Sequence, residues 1–128
     1  MRLLLDTHAF LWFINGDEKL NQHSKALIQE SNNEVLVSIA TLWEIAIKTS
    51  LNKLELLQPF EIVIPKELAE NEFTLLPIKL EHLVELRKLP FHHRDPFDRL
   101  LIAQSLSEKL PLISKDDQFG NYDVERIW

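Results

Sequence analysis

Asp6, Glu44, Asp95, Asp98 and Asp116 each stand at or near the edge of an apolar segment, a placement that serves either structure or chemistry. Asp6 follows Leu3-Leu4-Leu5, and Glu44 comes shortly after the run Val35–Ser38. Asp95 and Asp98 open the apolar half of HHRDPFDRLLIAQS. Asp116 follows Leu112-Ile113-Ser114-Lys115, with Asp117 directly behind it. Carboxylates gathered within a few ångströms repel, so some protonate unless a cation lies among them. The chain has no cysteine, which removes thiolate sites and leaves oxygen as the dominant donor. Such a set suits Mg²⁺ or Mn²⁺ better than structural Zn²⁺. Mg²⁺ takes only one or two carboxylates directly, so four acids fit one tightly held ion and a second that arrives with substrate. Ions held this way activate water and stabilise the charge that develops as a phosphodiester is cleaved.

Acids so far apart in sequence meet only if the fold delivers them. Apolar runs predict strands at Arg2–Leu5, Glu34–Ser38, Phe73–Leu76 and Leu112–Ser114, with a weaker one near Arg126–Trp128. Between them lie helical patterns. One begins at Phe10 and is stopped by Asn15-Gly16; others cover Asn21–Glu30 and Leu42–Leu51. Leu80, Leu83, Val84 and Leu86 form a helical stripe, and a last helix starts at Pro96. Pro65 interrupts the segment from Pro59 to Asn71 and suits the first turn of a helix over Lys66–Glu70. Strands alternating with helices predict an α/β fold with a central, mainly parallel sheet of four to five short strands flanked by helices. A length of 128 residues fits a single domain over residues 1–128. In such sheets, sites form at the carboxyl ends of the strands, and right-handed crossovers bring helix starts to the same side. Asp6, Glu44, Asp98 and Asp116 therefore share one predicted face.

Each acid also has a structural reading. Asp95-Pro96-Phe97-Asp98 is close to a capping box with proline at the first helical position, and Thr41-Leu42-Trp43-Glu44 fits the same box. Either cap contributes about 1 kcal/mol. Asp6 suits a turn, and Asp116-Asp117 suits a loop before Gly120.

The formal charge of −6 has the wrong sign for binding nucleic acid by bulk electrostatics, so a polyanionic partner would need cations or a local basic patch. Arg87-Lys88-Leu89-Pro90-Phe91-His92-His93-Arg94 is such a patch, leading straight into Asp95. It reads as a phosphate-facing rim or, for Arg87 and Lys88, as a complement to a helix C-terminus. His92-His93 reads as a polar loop rather than a zinc site. Lys48 and Lys53 extend a rim or occupy an exposed helix face. Arg99 is placed to pair with Asp98. Trp12, Phe13 and Trp43 lie in apolar helical patterns and are expected in the core, leaving Phe91 as the one aromatic in an apparent loop. Trp43 with the Leu51–Leu57 stretch alternatively forms an apolar groove for a partner or second copy. Met1–Asp6 meets a charge too early for a signal-peptide core, and no apolar run reaches the ~18 residues of a membrane span. The expectation is a cytoplasmic protein without membrane association.

The ordered set Leu5-Asp6-Thr7-His8, Trp43-Glu44, Asp95-Pro96-Phe97-Asp98-Arg99-Leu100-Leu101-Ile102-Ala103 and Leu112-Ile113-Ser114-Lys115-Asp116 resembles the PIN-domain nucleases over essentially the whole chain. It is most similar to the VapC-like toxin ribonucleases of type II toxin–antitoxin pairs. The resemblance implies that Asp6, Glu44, Asp98 and Asp116 hold Mg²⁺ or Mn²⁺. It places Asp95, Thr7 and Ser114 beside that site, with Asp117 as a neighbour; spacing from the strand favours Asp116 over Asp117 as the fourth acid. Endonucleolytic hydrolysis of RNA, neutralisation by a small antitoxin and a homodimer are further implications. Arg87, Lys88, His92, His93, Arg94 and Lys48 are the candidate RNA contacts. Two other readings are open. A phosphoacceptor receiver-like domain also places acids at strand ends, although this chain has a single Asp6 where that class has a pair. A catalytically silent PIN-like scaffold would bind RNA or protein without cutting.

Overall fold

Strands buried on both faces need uninterrupted apolar residues, and Leu3–Leu5, Val35–Val37 and Leu112–Ile113 supply them. A computed structural model describes residues 1–128. Its strands are β1 (Arg2–Leu5), β2 (Glu34–Ser38), β3 (Thr74–Leu76), β4 (Leu112–Ile113) and β5 (Arg126–Ile127). All pair in parallel in the order β3-β2-β1-β4-β5. Leu5 stands opposite Val37 on one side and Ile113 on the other. β1 is thus central, with its two neighbours drawn from distant parts of the chain.

Helices α1 (Thr7–Asn15), α2 (Gln22–Gln29), α3 (Ile39–Ser50), α4 (Phe60–Glu70), α5 (Leu80–Lys88) and α6 (Pro96–Glu108) fill the crossovers. Side chains alternate across the sheet with period two. Leu3, Leu5, Val35, Val37 and Ile113 join Phe10, Ile28, Ile45 and Val63 in one core layer. Leu4, Leu36 and Leu112 join Leu100–Ala103 and Leu89 in the other. α3 packs against both α1 and α6, so it spans the end of the sheet where β1, β2 and β4 finish. No helix is long and apolar enough to cross a membrane.

Several boundaries differ from the sequence expectation. α1 begins at Thr7, because Asp6 caps it; Gly16, at φ 62°, ends it as Asn15-Gly16 predicts. α3 begins at Ile39 with Ser38 as its cap, so Thr41 lies inside the helix and no Thr41–Glu44 box forms. α4 runs through Pro65. Pro65 and Glu61, whose carbonyl loses its helical donor, both lie on the exposed side, where water can satisfy that group. Phe73 precedes β3 rather than joining it; it is buried against Phe10 and Phe13, at ring separations of 6.0 and 5.7 Å.

α5 holds a less obvious device. Its stripe residues Leu80, Leu83 and Val84 face outward, while His82 is fully buried. His82 Nδ1 accepts from the Lys79 backbone N–H at 3.0 Å, and Nε2 lies 3.0 Å from Glu108 Oε1. Glu108, held below its ordinary range mainly by the His82 hydrogen bond and then by Lys79, closes the contact. Gln104 Nε2 lies 3.3 Å from His82 Nδ1, and Gln104 Oε1 accepts from Ser38, the cap of α3. Removing His82 strands buried partners, so His82→Ala is expected to lower stability by about 2–3 kcal/mol. Urea unfolding of the variant and wild type measures this.

Candidate metal centre

Leu5 and Ile113 sit side by side, so the residues that follow them emerge together at the carboxyl end of the sheet. Asp6 caps α1, accepting from the Ala9 N–H at 2.7 Å. Ser114, the fully buried residue after β4, favours its charged form. Ser114 Oγ in turn accepts from the Asp116 N–H at 3.0 Å, and Asp116 caps the short 3-10 helix Asp117–Asn121. Glu44 arrives from α3 and is buried. Its Oε1 accepts from Thr7 Oγ1 at 2.7 Å, and its Oε2 meets Lys48 Nζ at 2.6 Å. Asp98 arrives in the first turn of α6, and its Oδ2 lies 3.1 Å from His93 Nε2. The same nitrogen is 3.0 Å from Asp116 Oδ2.

Electrostatics report the crowding. The Asp98 carboxyl is pushed up to about 8, first by burial and then by Asp95, Asp6, Glu44 and Asp116. Asp6 is raised by burial and, more weakly, by Asp116; Ser114, the Ala9 N–H and His8 act against this. Lys48 is raised by its hydrogen bond to Glu44, with Asp95 and Asp98 adding to the effect. Four carboxylates from four separate parts of the chain, three at element ends and Glu44 within α3, therefore share one field. Their oxygens, free of sulfur and short of compensating positive charge, form the donor set that a hard divalent cation takes.

Structure separates the candidates that sequence grouped. Asp6, Glu44, Asp98 and Asp116 converge, and Thr7 and Ser114 touch two of them. Asp117 does not; its side chain is exposed and pairs with Arg126 at 3.4 Å. Asp95 caps α6, accepting from the Phe97 and Asp98 N–H groups at 2.8 and 3.0 Å. Asp95→Ala is expected to lose about 1 kcal/mol, read as a lower denaturation midpoint at unchanged slope. Arg87, Lys88, His92 and Arg94 are exposed on the adjoining segment, with Arg87 and Arg94 beside Phe91 around one shallow depression.

Two expectations are corrected, for His93 and Arg99. His93 is not a solvated loop residue but is buried against the acids. Lys48, half-exposed on α3, is in addition tied to Glu44, a contact its place in the sequence does not state. Arg99 does not pair with Asp98. It is buried and donates to the Pro90 carbonyl at 2.9 Å and to those of His93 and Leu89 at 3.4 Å; Phe91, largely exposed, packs over its guanidinium at 4.1 Å. Aromatic placement differs too. Trp12 and Phe13 are half-buried against the core, whereas Trp43 is 53% exposed and meets Phe97 edge-on at 4.9 Å. That pair adjoins Glu44 and Asp98 in sequence. His8 and Tyr122 were not singled out by sequence. His8 lines the depression shared with Asp6 and Asp116, and its position just after the Asp6-Thr7 exit was the available signal. Tyr122 gave none.

The PIN domain family model matches residues 3–125. Among solved structures, VapBC2 from Rickettsia felis, bound to a DNA fragment from their promoter, contains a similar chain. The TM-score is 0.76 at 14% identity, covering 100% of this chain and 99% of that one. FitAcB from Neisseria gonorrhoeae gives 0.68 at 18%, covering 100% and 97%. VapBC-5 from Mycobacterium tuberculosis, of the VapBC family of toxin–antitoxin systems, gives 0.61 at 19%, covering 98% and 95%. At these identities the likeness is one of fold. No curated protein matches the chain.

Proposed function

The chain belongs to the PIN domain family, and from that premise we propose that it is a divalent-metal-dependent endoribonuclease, the toxin of a toxin–antitoxin pair. The observation that carries this reading is the convergence of Asp6, Glu44, Asp98 and Asp116 with Asp98 pushed up to about 8. Asp6, Asp98 and Asp116 would hold Mg²⁺ or Mn²⁺, with Glu44 completing the set. When bound, the ion supplies Lewis acidity to the phosphate and acidifies water. The chain's own groups do the rest. Thr7 and Lys48 hold the two oxygens of Glu44 in fixed directions, and Ser114 ties Asp6 to Asp116. Arg87, Lys88, His92 and Arg94 are placed to meet a phosphate backbone, offsetting the acidic charge locally.

The structural neighbour named as a member of the VapBC family of toxin–antitoxin systems supports a cognate antitoxin as partner. The exposed side chains of Trp43, Leu51 and Leu57 offer apolar surface for it or for a second copy in a homodimer. In this reading residues 1–128 form one PIN-like domain acting in the cytoplasm. RNA cleavage assayed with Mg²⁺ or Mn²⁺ tests the proposal. Activity is expected to vanish with EDTA and in Asp6→Asn, which keeps the cap acceptor but removes the charge. Cleavage that persists under both conditions overturns it.

A further inference from the structure

We infer that His93 is a positioning residue of the acidic centre, a fixed Nε2–H donor to Asp116 that lies against Asp98, rather than a ligand of the cation. This rests on the reading of the acids as a cation site. Distance alone does not decide between donor and ligand, because the ligand atoms of His93, Asp98 and Asp116 all lie within 4.8 Å of one another. The other ring nitrogen decides it. His93 Nδ1 lies 3.1 Å from the backbone nitrogen of Asp95. A backbone N–H only donates, so Nδ1 must present its lone pair, and the neutral ring then carries its hydrogen on Nε2. That hydrogen is directed at Asp116 Oδ2, 3.0 Å from the nitrogen, while Asp98 Oδ2 lies beside the same nitrogen at 3.1 Å. A ring in this tautomer has no lone pair on Nε2 to give to a metal.

The ring is also held from behind. The His93 N–H donates to the Tyr122 hydroxyl at 2.9 Å, and that hydroxyl donates to the Pro90 carbonyl at 2.9 Å. Arg99 binds the carbonyls on either side of this segment, and the Phe119 ring lies 5.7 Å away across the imidazole. Asp95 joins the two devices: its side chain caps α6 at Asp98, and its N–H fixes the His93 tautomer. Asp98 opens α6 and Asp116 follows β4, the next strand, and their charges repel. A ring locked to both loop and helix, hydrogen-bonded to Asp116 and packed beside Asp98, keeps them at a constant spacing.

The test uses the full chain. Long-range ¹H–¹⁵N spectra of the imidazole rings, recorded without metal and with saturating Mg²⁺, are expected to show His93 as the Nε2–H tautomer in both states. An Nδ1–H tautomer in the Mg²⁺-loaded protein overturns the inference. Mn²⁺ affinity, read from paramagnetic broadening, is expected to fall by about 10- to 100-fold in His93→Ala and to recover partly in His93→Gln, which retains an N–H donor. With Ni²⁺, which favours imidazole, the same variant is expected to lose no more affinity than with Mn²⁺. A selective loss of Ni²⁺ binding overturns the donor role, as does unchanged Mn²⁺ affinity in His93→Ala. Wild-type protein that binds neither Mg²⁺ nor Mn²⁺ would instead refute the cation site itself, and the positioning role with it.

Discussion

Asp98→Asn is expected to raise the melting temperature of the metal-free protein while abolishing divalent-cation-dependent cleavage. The two effects share one cause. Folding raises the Asp98 carboxyl from 3.8 to about 8, so the folded state holds a proton that the unfolded state releases between those values. Stability is therefore lost as pH rises through that window, and no penalty remains below pH ~4. Asparagine has no such charge to lose. Since Asp98 is partly accessible, only part of the shift counts, and the gain at pH 7 is on the order of 2 kcal/mol, or roughly 5–8 °C. The gain should shrink towards pH 4. Mn²⁺ should reverse the order, because a ligand that binds only the folded state stabilises wild type and no longer finds its full donor set in the variant. Cleavage should fall at least ~100-fold, at or beyond the upper range for residues that merely support a ligand. Thermal melts at several pH values with and without Mn²⁺ separate these terms. A variant destabilised at pH 7 without metal would mean that the Asp98 charge is already compensated.

Arg99→Lys is expected to cost about 3 kcal/mol despite keeping the charge. The guanidinium reaches three carbonyls and the Tyr122 hydroxyl from a buried position, which a planar fork does and a single ammonium does not. Losing two or more charged hydrogen bonds leaves buried carbonyls without donors. The segment from Leu89 to His93 then loosens, and His93 with it. The variant should melt roughly 10 °C lower and lose amide protection across 89–95 before α6 does. Wild-type protection in that segment would show that Tyr122 holds it alone.

What the sequence made legible was local. Asp95 and Pro96 state a helix start within four residues, and the cap is there. Leu3–Leu5 and Val35–Val37 state buried strands, and the parallel sheet follows. Asp6, Asp98 and Asp116 were readable because each follows a strand closely or opens a helix, whereas Glu44 lies mid-way along α3 and was reached through the order of the set. What failed depended on partners that the local pattern does not reveal. Trp43 lies in an apolar helical pattern, yet the side of α3 that it occupies meets Phe97 and solvent. Thr41 and Glu44 have capping-box spacing, but Ser38 capped the helix first and left Glu44 to Thr7 and Lys48. His93 sits in a loop with no periodicity, and nothing local distinguishes it from exposed His92. Its role needs Asp116 and Tyr122, both far along the chain.

The strand order bears on how the protein comes into being. β1 is made early, yet one of its two partners, β4, lies at Leu112–Ile113. Until that segment is translated, the central strand has a bare edge, and Asp6 has neither Ser114 nor Asp116 beside it. Such non-local pairing is slow to form, and an unpaired edge invites association. A growing chain therefore carries most of the acids without the centre they build. The acidic centre is complete only once Asp116 is made, and a product truncated before it would lack that centre and be prone to aggregate.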